Sequence, residues 1–494
     1  MMLSAESMAP LMFAGMILFL LVGFPVAFSL AALGLSFGIL GVELGFFVPD
    51  FLANLPLRVF GIVSNDLLLA IPFFTFMGCI LERCGLAEDL LESMGQAFGA
   101  LPGGLAYSVI VVGAILGAIT GTVAASVIAM GMIALPAMMR YGYDMRIATG
   151  VIAASGTITQ LIPPSLVLVV LADQLGRSVG DMYAGAIGPS IVQTLLFIGF
   201  IAIVAIFRPN LVPALPPEAR TLRGWALWSR VLWGVVPSLG LIFLVLGTIF
   251  MGLATPTESG AMGAVGAMIL AALRGRLTRK LVWEGMESTM RITAMVIFIL
   301  IGSSVFSLVF QGFDGGLWIE HLLSDLPGGR TGFLVVVMLF VFVLAFFLDF
   351  FEIAFIVVPL LAPVAQKLGV DLVWFGVLLC VNLQTSYMHP PFGYALFYLR
   401  GIAPREVKSK DIYLGAIPWV GLQLLMVALV IIFPDQITAF LDKEQVIDVD
   451  KVKIELEAPE VMPDSSDTPE QPAGPSESDN DLQKQLERAS KGAK

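Results

Sequence analysis

The sequence predicts an all-α polytopic membrane protein built from two inverted repeats, each with a re-entrant hairpin and a broken helix. Three observations predict this fold class: an apolar composition, motifs that recur at one fixed spacing, and basic loops whose positions differ between the two halves. Of 494 residues, 58% are hydrophobic and 13% are charged, and the mean hydropathy is +0.92. Soluble domains are about one quarter charged, so the chain is expected to lie in lipid.

Apolar runs of about the length needed to cross a bilayer occur throughout the chain. A hydrocarbon layer about 30 Å thick requires about 20 apolar residues in a helix. The runs that approach or reach this length are 191–207, 231–251, 292–310, 334–348 and 420–433. No Lys or Arg precedes the first apolar run, so a cleaved signal peptide is not expected. We predict one transmembrane domain over residues 1–433 and an acidic tail over 434–494, whose composition is typical of disorder.

Two segments of the chain repeat each other at a constant offset of 227 residues, for example from position 136 to position 363. The matched pairs are Pro136 with Pro363, Gly142 with Gly369, Asp144 with Asp371, and Pro163–Pro164 with Pro390–Pro391. Each segment has a polar patch before its prolines, at 155–159 and at 382–386, which predicts a helix broken within the membrane. Paired broken helices indicate the midplane binding site of a transporter, because freed carbonyls are tolerated there only where they line a cavity or hold an ion.

The repeat extends beyond these segments and defines the two halves. Asp181–Ile187 returns as Asp411–Ile417, and Leu101–Gly104 returns as Leu326–Gly329. We therefore expect one repeat over about 23–207 and the other over about 254–433, linked by a cytoplasmic loop at 208–230.

The distribution of basic residues indicates that the repeats are inverted. Loops 208–230 and 274–280 are rich in Arg and Lys, which places them in the cytoplasm. Loop 173–181 is then periplasmic and contains a single basic residue, whereas its repeat counterpart, 400–411, contains four. Equivalent loops on opposite sides of the membrane require inverted halves. The acidic tail is then expected outside.

A segment that resembles a re-entrant hairpin precedes each broken helix. Gly113, Gly117 and Gly121 form a small-residue face that permits close helix contact. The polar centre of this first hairpin consists of Thr120, Gly121, Thr122 and Ser126, and the second hairpin contains 347–352. The alternative is a straight span with an ordinary glycine packing face. Amphipathic segments at 81–92 and 317–325 precede the hairpins and predict interfacial arm helices that brace a moving body against a fixed one.

Asp349 and Glu352 are the ionisable residues expected in the second hairpin. Charges inside apolar segments are costly and usually functional. No Lys or Arg lies near them in sequence, so a hard cation such as Na⁺ is a natural partner for their oxygen atoms. A proton, or a structural salt bridge, is the alternative. His389 is a candidate donor to a substrate carboxylate or a titrating group, with a structural hydrogen bond as the alternative.

The polar residues of the two breaks are candidate ligands as a group. They are Ser155, Gly156, Thr157, Thr159, Pro163, Pro164 and Ser165 in the first break, and Asn382, Gln384, Thr385, Ser386, Pro390 and Pro391 in the second. Helix N-termini after the prolines suit an anionic solute, although polar side chains also serve helix packing in bilayers. Glu258 is expected to cap a helix, and Cys79 and Cys84 to serve packing. The sequence has no motif for ATP hydrolysis, zinc proteolysis or serine hydrolysis.

Four motifs resemble the large membrane subunit of tripartite ATP-independent periplasmic (TRAP) transporters, the DctM-like family. They are Ala254–Glu258, Phe347–Asp349, Ile162–Ser165 and Pro390–Gly393, and the resemblance covers about 10–433. Two residues depart from the family pattern: His389 replaces the usual Thr, and Glu352 adds a second carboxylate. The acidic tail is also extra.

The resemblance implies an elevator-type secondary transporter with about eleven spanning helices in the bacterial inner membrane. It implies coupling to Na⁺, bound near Thr122, Ser155, Asp349 and Thr385, without another cofactor and without enzyme activity. It also implies a small four-helix membrane subunit, a periplasmic substrate-binding protein and a small anionic solute, in contact with lipid and without nucleic acid. The alternatives are a binding-protein-independent carboxylate transporter and an intramembrane hydrolase that uses Asp349 and Glu352.

Overall fold

The computed structural model describes residues 5–439, in which every regular element is a helix. Residues 440–494, which hold most of the predicted disordered tail, lie outside the described residues. The first half contains α1 Ala5–Val22, α2 Val26–Glu43, α3 Leu55–Val63, α4 Asp66–Arg83, α5 Leu86–Phe98, α6 Gly104–Thr120, α7 Val123–Arg140, α8 Met145–Thr157, α9 Leu166–Leu175 and α10 Val179–Phe207. Short 3₁₀ turns lie at Pro49–Asn54, Ile158–Gln160, Pro209–Leu211 and Pro217–Ala219.

The remaining helices begin after the central loop. They are α11 Gly224–Phe250, α12 Pro256–Leu273, α13 Arg279–Gly312, α14 Gly315–Ser324, α15 Gly329–Leu344, α16 Phe350–Glu352, α17 Val358–Lys367, α18 Leu372–Ser386, α19 Tyr394–Ile402, α20 Ser409–Ile432 and α21 Asp435–Thr438, with a π-helix at Ile353–Val357 between α16 and α17. Helix α21 lies beyond the expected domain end at 433, and its Ile437 packs against Gly185 of α10.

Seven helices of the described chain are long and apolar enough to cross a membrane. Two bent pairs also qualify: Pro49–Val63 with Asp66–Arg83, at 48°, and Gly315–Ser324 with Gly329–Leu344, at 114°. Counting only helices that are long enough to cross the membrane does not give the expected eleven spans. The broken helices divide into short pieces such as Leu166–Leu175, and α7 is a hairpin arm that passes the length test without crossing.

Helices α6 and α7 form the first re-entrant hairpin, as predicted. The backbone N–H groups of Gly103 and Asp144, at the two open ends, donate to the carbonyls of Val212 and Leu211 over 2.8 and 3.0 Å. Both ends therefore lie on one side of the protein. Gly121 forms the tip with φ +63°, a left-handed conformation that glycine adopts without steric cost.

Helices α15 to α17 form the second hairpin. At its entrance, the guanidinium of Arg330 lies 4.7 Å from the ring centre of Trp374, near the start of α18. At its exit, Lys367 forms an ion pair with Glu320 of α14, the helix that leads into α15. The open ends again lie together, and the chain reverses between Leu344 and Phe350.

Helix α20 shows that the two repeats are inverted. The side chain of Arg146, at the start of α8, contacts Asp411 at the start of α20 over 3.5 Å. The indole N–H of Trp374, near the start of α18, donates to the carbonyl of Val430 near the end of α20 over 2.8 Å. The two broken helices therefore begin at opposite ends of the same helix, which confirms the inverted arrangement.

Glycines allow the first broken helix to approach its neighbours closely. A Cβ at Gly117 would lie 2.8 Å from the Cα of Thr159, and one at Gly113 would lie 2.7 Å from the Cβ of Ser155. The predicted small-residue face of α6 therefore packs directly on the polar break. The alternative of a straight span with a glycine face is wrong, because the same helix belongs to a hairpin.

The arm helices are α5 and α14, with bounds that differ slightly from those expected. Residues 81–83 belong to the end of α4, and the arm begins only at Leu86. Helix α5 packs on α6, α7 and α11. Its Asp89 contacts Arg274, the residue that follows α12, over 2.5 Å, and its Glu92 contacts Arg230 of α11 over 3.0 Å. The arm thus connects the first hairpin to the helices around α12.

Candidate functional site

A cavity of about 620 Å³ lies where both hairpin tips and both helix breaks face a separate group of helices. One wall comes from the tips at 121–125 and 347–352 and from the break residues Gln160 and Tyr387. The opposite wall comes from α4, α13 and the turn between α1 and α2. Because α4 packs on α12 and α13, we call α2, α4, α11, α12 and α13 the scaffold helices.

Residues that are equivalent in the two repeats line this cavity together. Pairs separated by 227 positions in the lining are Gly121 with Leu348, Thr122 with Asp349, Ala125 with Glu352, Gln160 with Tyr387, and Val167 with Tyr394. The cavity therefore lies on the pseudo-twofold axis that relates the repeats. The second repeat supplies both carboxylates and both aromatic rings of these pairs, whereas the first repeat supplies small or uncharged side chains.

Asp349 and Glu352 line the cavity and cap the return arm of the second hairpin. The Glu352 N–H donates to Asp349 Oδ1 over 3.0 Å, and the Asp349 N–H donates to Glu352 Oε2 over 2.9 Å. This reciprocal capping box satisfies two N–H groups at a helix start. No ion pair with Lys or Arg is recorded for either carboxylate within the described chain, so the salt-bridge alternative has no support.

The first hairpin tip presents Gly121 and Thr122 to the cavity. Thr122 precedes α7 in an extended conformation, and its hydroxyl makes no capping bond to that helix. Thr122 and Asp349 therefore hold the same position in the two hairpins. Ser126 lies one turn further along α7 and is buried, whereas the side chain of Thr120 lies outside the described residues.

The predicted ligands of the first break lie behind the cavity. The hydroxyl of Thr157 donates to the Ala154 carbonyl and accepts from Gln423 Nε2, both over 2.9 Å, and the Thr159 hydroxyl donates to the Gly156 carbonyl over 2.9 Å. Ser155 Oγ is buried without a hydrogen-bond partner. Gly156 packs against Val127 of α7. Ser155, Gly156 and Thr159 therefore line the contact between the break and the first hairpin, whereas Thr157 contacts α20.

Ser165 and the prolines form the turn into the second half of the first broken helix. Pro163 and Pro164 are buried and joined by a cis peptide bond. The Val167 N–H donates to Ser165 Oγ over 3.2 Å, so Ser165 caps α9. The N-terminus of α9 reaches the cavity through Leu166 and Val167.

In the second break, as in the first, some polar side chains are hydrogen-bonded and others have no partner. Asn382 Nδ2 donates to the Met338 carbonyl of α15 over 2.8 Å, and the Thr385 hydroxyl donates to the Asn382 carbonyl over 2.6 Å. The polar side-chain atoms of Gln384 and the hydroxyl of Ser386 are buried without hydrogen-bond partners. Pro390 and Pro391 are joined by a cis peptide bond ahead of α19.

His389 points away from the cavity. Its ring centre lies 5.2 Å from that of Phe342 and 4.6 Å from that of Phe346, both in or just after α15. It is absent from the described lining of the cavity, and its Nδ1 is buried without a partner. In this conformation the imidazole therefore packs between the second break and the second hairpin, and it remains a predicted rather than an observed solute contact.

Several lining residues were not anticipated from the sequence. Gln160 and Tyr387 flank the polar patches, Tyr394 and Tyr398 lie one turn apart on α19, and Glu82 comes from scaffold helix α4. The equivalence of Gln160 and Tyr387 at the 227-residue offset was available as a signal. No sequence signal marked Glu82, because its place at the site depends on how α4 packs against the hairpins.

The cavity faces the cytoplasmic half of the scaffold. With loop 274–280 in the cytoplasm, Cys79, Glu82 and Ser288 lie near the cytoplasmic ends of α4 and α13. On the periplasmic side, Asn65 Nδ2 of the scaffold donates to Asp173 Oδ1 of α9 over 2.9 Å. This contact joins the scaffold to α9 at the end of α4 opposite Glu82.

Inverted repeats, two hairpins and two broken helices around a midplane cavity define a secondary membrane transporter. A family model described as "Tripartite ATP-independent periplasmic transporter, DctM component" matches residues 13–436. The chain therefore belongs to the DctM family of TRAP transporter large permeases.

Individual relatives agree with this assignment. A C4-dicarboxylate TRAP transporter large permease of Pseudomonas aeruginosa is 31% identical over 81% of this chain and 91% of its own length. The 2,3-diketo-L-gulonate large permease of Escherichia coli is 25% identical over 87% of this chain and 98% of its own. The YdaH transporter of Alcanivorax borkumensis has the same fold, with a TM-score of 0.53 at 16% identity over 77% of this chain and 87% of that structure.

Family membership establishes the general role of the chain. It is the large membrane subunit of a secondary transporter, a multi-pass protein of the bacterial inner membrane, and it is not an enzyme. Membership also implies a tripartite system with a small membrane subunit and a periplasmic binding protein.

Proposed function

We propose that this subunit imports a small organic acid together with Na⁺ by an elevator movement. The observation that carries the proposal is the position of the cavity. It lies between the scaffold helices and a group that contains both hairpins and both broken helices. A solute bound at such a boundary crosses the membrane when one group slides along the other.

The packing supports two bodies of this kind. Helix α4 packs extensively on α12, and α13 packs on α2 and α4. Helix α8 packs on α7 and α20, and α19 packs on α7. The arm α5 is held to the scaffold by the Asp89–Arg274 and Glu92–Arg230 ion pairs while it packs on the first hairpin. An arm anchored in this way can guide a sliding hairpin.

The donor set at the two tips fits Na⁺ as the coupling ion. Na⁺ is a hard cation that prefers oxygen ligands. Asp349 and Thr122 supply oxygen atoms at equivalent tip positions, and Ser155 Oγ is a buried oxygen without a partner behind the first hairpin. Thr385 lies at the second break, where its hydroxyl is bonded to the Asn382 carbonyl. A site at each tip would use one hairpin and its own broken helix.

An acid group of the solute has a binding position at the N-terminus of α9. This helix has ten residues, starts after Ser165 and presents Leu166 and Val167 to the cavity. The unpaired N–H groups of a helix start attract anions. The relatives named for C4-dicarboxylates and for 2,3-diketo-L-gulonate support an acid as the solute.

The system is proposed to include two separate partners. One is a four-helix membrane subunit that packs against the lipid-facing side of the scaffold. The other is a periplasmic binding protein that delivers the solute. A binding-protein-independent transporter is the main alternative, and uptake by reconstituted permease without the binding protein would favour it.

The hydrolase alternative lacks support from the geometry. Paired catalytic acids require free carboxylates aimed at one bond, whereas Asp349 and Glu352 each accept a backbone N–H of the other. The relatives are also named as permeases.

Solute uptake by the reconstituted tripartite complex tests the proposal. We expect an inward Na⁺ gradient to drive uptake and an equal K⁺ gradient to fail. Asp349→Asn should abolish the Na⁺ effect, because Asn retains the helix-capping oxygen and removes only the charge. The matched control is Glu258→Gln, since Glu258 belongs to an exposed capping box at the start of α12. Uptake that does not depend on Na⁺ and is unchanged by Asp349→Asn contradicts the proposal.

A further inference from the structure

The lining of the cavity differs from that expected for a solute with only negative charge. Three carboxylates face it, those of Glu82, Asp349 and Glu352, and its described lining contains no Lys, Arg or His. A dianion would meet repulsion from each of these groups. Carboxylates in a low-dielectric site instead favour a positively charged partner.

Coupling ions do not remove this mismatch. The proposed Na⁺ positions lie at the hairpin tips, beside Asp349 and Thr122. Glu82 lies on scaffold helix α4, where the neighbouring Arg83 is already paired with Glu284 of α13. A positive charge between the scaffold and the second hairpin would meet both Glu82 and Glu352.

Aromatic rings form much of the remaining lining. They are Phe24, Phe347, Phe350, Phe351, Tyr387, Tyr394 and Tyr398. The faces of aromatic rings attract cations, and sets of such rings recognise quaternary ammonium groups. Rings and carboxylates without basic residues therefore fit a charged nitrogen better than they fit a second acid group.

Two buried polar atoms at the cavity provide independent evidence for a ligand. Gln160 is 3% exposed and Thr75 is 2% exposed. Gln160 Oε1 and Thr75 Oγ1 have no hydrogen-bond partner within the described chain, and both residues line the cavity. An amide oxygen only accepts hydrogen bonds. Leaving it unpaired is unfavourable, so a solute that donates a hydrogen bond would satisfy it.

We propose that the imported acid is a zwitterion, whose positively charged nitrogen lies among the aromatic rings, Glu82 and Glu352 while its carboxylate faces the start of α9. This inference rests on the proposed function, because it describes the solute of the same transport site.

Protection of a cysteine in the cavity tests this inference. Cys79 lines the cavity and is partly exposed, whereas Cys84 and Cys380 are 2% and 0% exposed. N-Ethylmaleimide should therefore label Cys79 first in permeabilised membranes that contain the full complex. Mass spectrometry of the labelled peptide gives the rate, so the readout does not depend on transport.

The first two of three probes differ only in one charge. Glycine betaine carries a quaternary nitrogen, tert-butylacetate has a carbon in its place, and succinate is a dianion. We expect glycine betaine to slow labelling of Cys79 at a concentration about tenfold lower than the other two require, the effect of a cation–π contact of about 1–2 kcal/mol. Equal protection by tert-butylacetate or by succinate overturns the inference. Protection by none of the three also overturns it.

Glu352→Gln examines the charge directly. Glutamine keeps the capping box at the start of α16, so the hairpin is expected to fold while the advantage of glycine betaine disappears. Glu258→Gln should keep that advantage. If glycine betaine protects Cys79 equally well in Na⁺ and in K⁺, Na⁺ coupling fails while the zwitterion preference stands, which separates the two proposals. An advantage that persists in Glu352→Gln contradicts the assigned position of the nitrogen.

Discussion

Gln160 and Tyr387 occupy equivalent positions in the two broken helices, 227 residues apart, and both line the cavity. The Tyr387 hydroxyl accepts the Phe350 N–H of the second hairpin tip over 3.4 Å. One tyrosine thus joins the second break to the second hairpin tip. The contact lies at the cavity where the solute is proposed to bind.

Removing this hydroxyl should impair transport more than folding. Tyr387→Phe leaves the Phe350 N–H without its partner, and a buried hydrogen bond contributes about 1 kcal/mol. We expect initial uptake by the reconstituted complex to fall about fivefold to tenfold, with little change in melting temperature. Tyr413→Phe on α20, outside the cavity lining, is the control. Equal uptake by the two variants would show that the hydroxyl has no role.

The close approach of α6 to the first break predicts a sharp size limit at Gly117. An Ala Cβ would lie 2.8 Å from the backbone Cα of Thr159, and overpacking of this kind costs about 1–3 kcal/mol. We expect Gly117→Ala to lower the melting temperature of the purified complex and to reduce uptake. Gly199→Ala on α10 is matched to it, because nothing lies within 4 Å of the added methyl. A thermostable, fully active Gly117→Ala variant would contradict the hairpin packing.

The contact between Asn65 and Asp173 predicts a cross-link that stops the transport cycle. These residues join the scaffold to α9 on the periplasmic side. In a background without the native cysteines, an oxidised Asn65→Cys/Asp173→Cys pair should hold α9 against the scaffold and abolish uptake, and a reductant should restore it.

A second cysteine pair controls for the chemistry of that experiment. Thr248 and Ser259 contact each other over 3.0 Å within the scaffold. Oxidation of Thr248→Cys/Ser259→Cys should leave uptake unchanged, since both residues belong to the same body. Full activity of the oxidised 65–173 pair would show that this contact does not open during transport.

The ion pair between arm α5 and α12 predicts a charge-reversal effect. Asp89→Arg places a second cation beside Arg274, which should displace the arm and lower uptake severalfold. Adding Arg274→Asp should restore part of the activity. The control is charge reversal at Arg291, which pairs with Glu287 within helix α13 at an exposed position. This change should have little effect, because exposed ion pairs contribute at most about 1 kcal/mol. Failure of the double variant to recover would leave the arm without a guiding role.

The sequence predicted the features that repeat. The offset of 227 residues located both breaks and both hairpins, because prolines and glycines that interrupt helices leave a signal that does not depend on packing. Glu258 was expected to cap a helix, and it does so with Thr255 in a reciprocal capping box. The basic loops gave the relative orientation of the halves, which the contacts of α20 confirm.

The composition of the cavity could not be predicted in the same way. Glu82 and Phe24 reach the site only because α4 and the turn after α1 pack against the hairpins. Conversely, Thr157 and Thr159 are polar and adjacent to the break, but their hydroxyls bond to local carbonyls behind it. Periodicity does not distinguish the side of a fully buried helix that faces a cavity from the side that faces another helix. The ligand roles of these residues remain predictions.

The distance between the scaffold helices and the group that contains both hairpins and both broken helices tests the central claim most directly. At Gly240 of α11 and Gly421 of α20, no atom lies within 4 Å of an added Cβ, so both positions suit spin labels. The same holds for a reference label at Gly61 of α3, which packs on scaffold helix α13. The elevator account predicts that the 240–421 distance shifts when Na⁺, solute and binding protein are added, while the 61–240 distance stays constant. A 240–421 distance that stays fixed in a complex that still transports would contradict it.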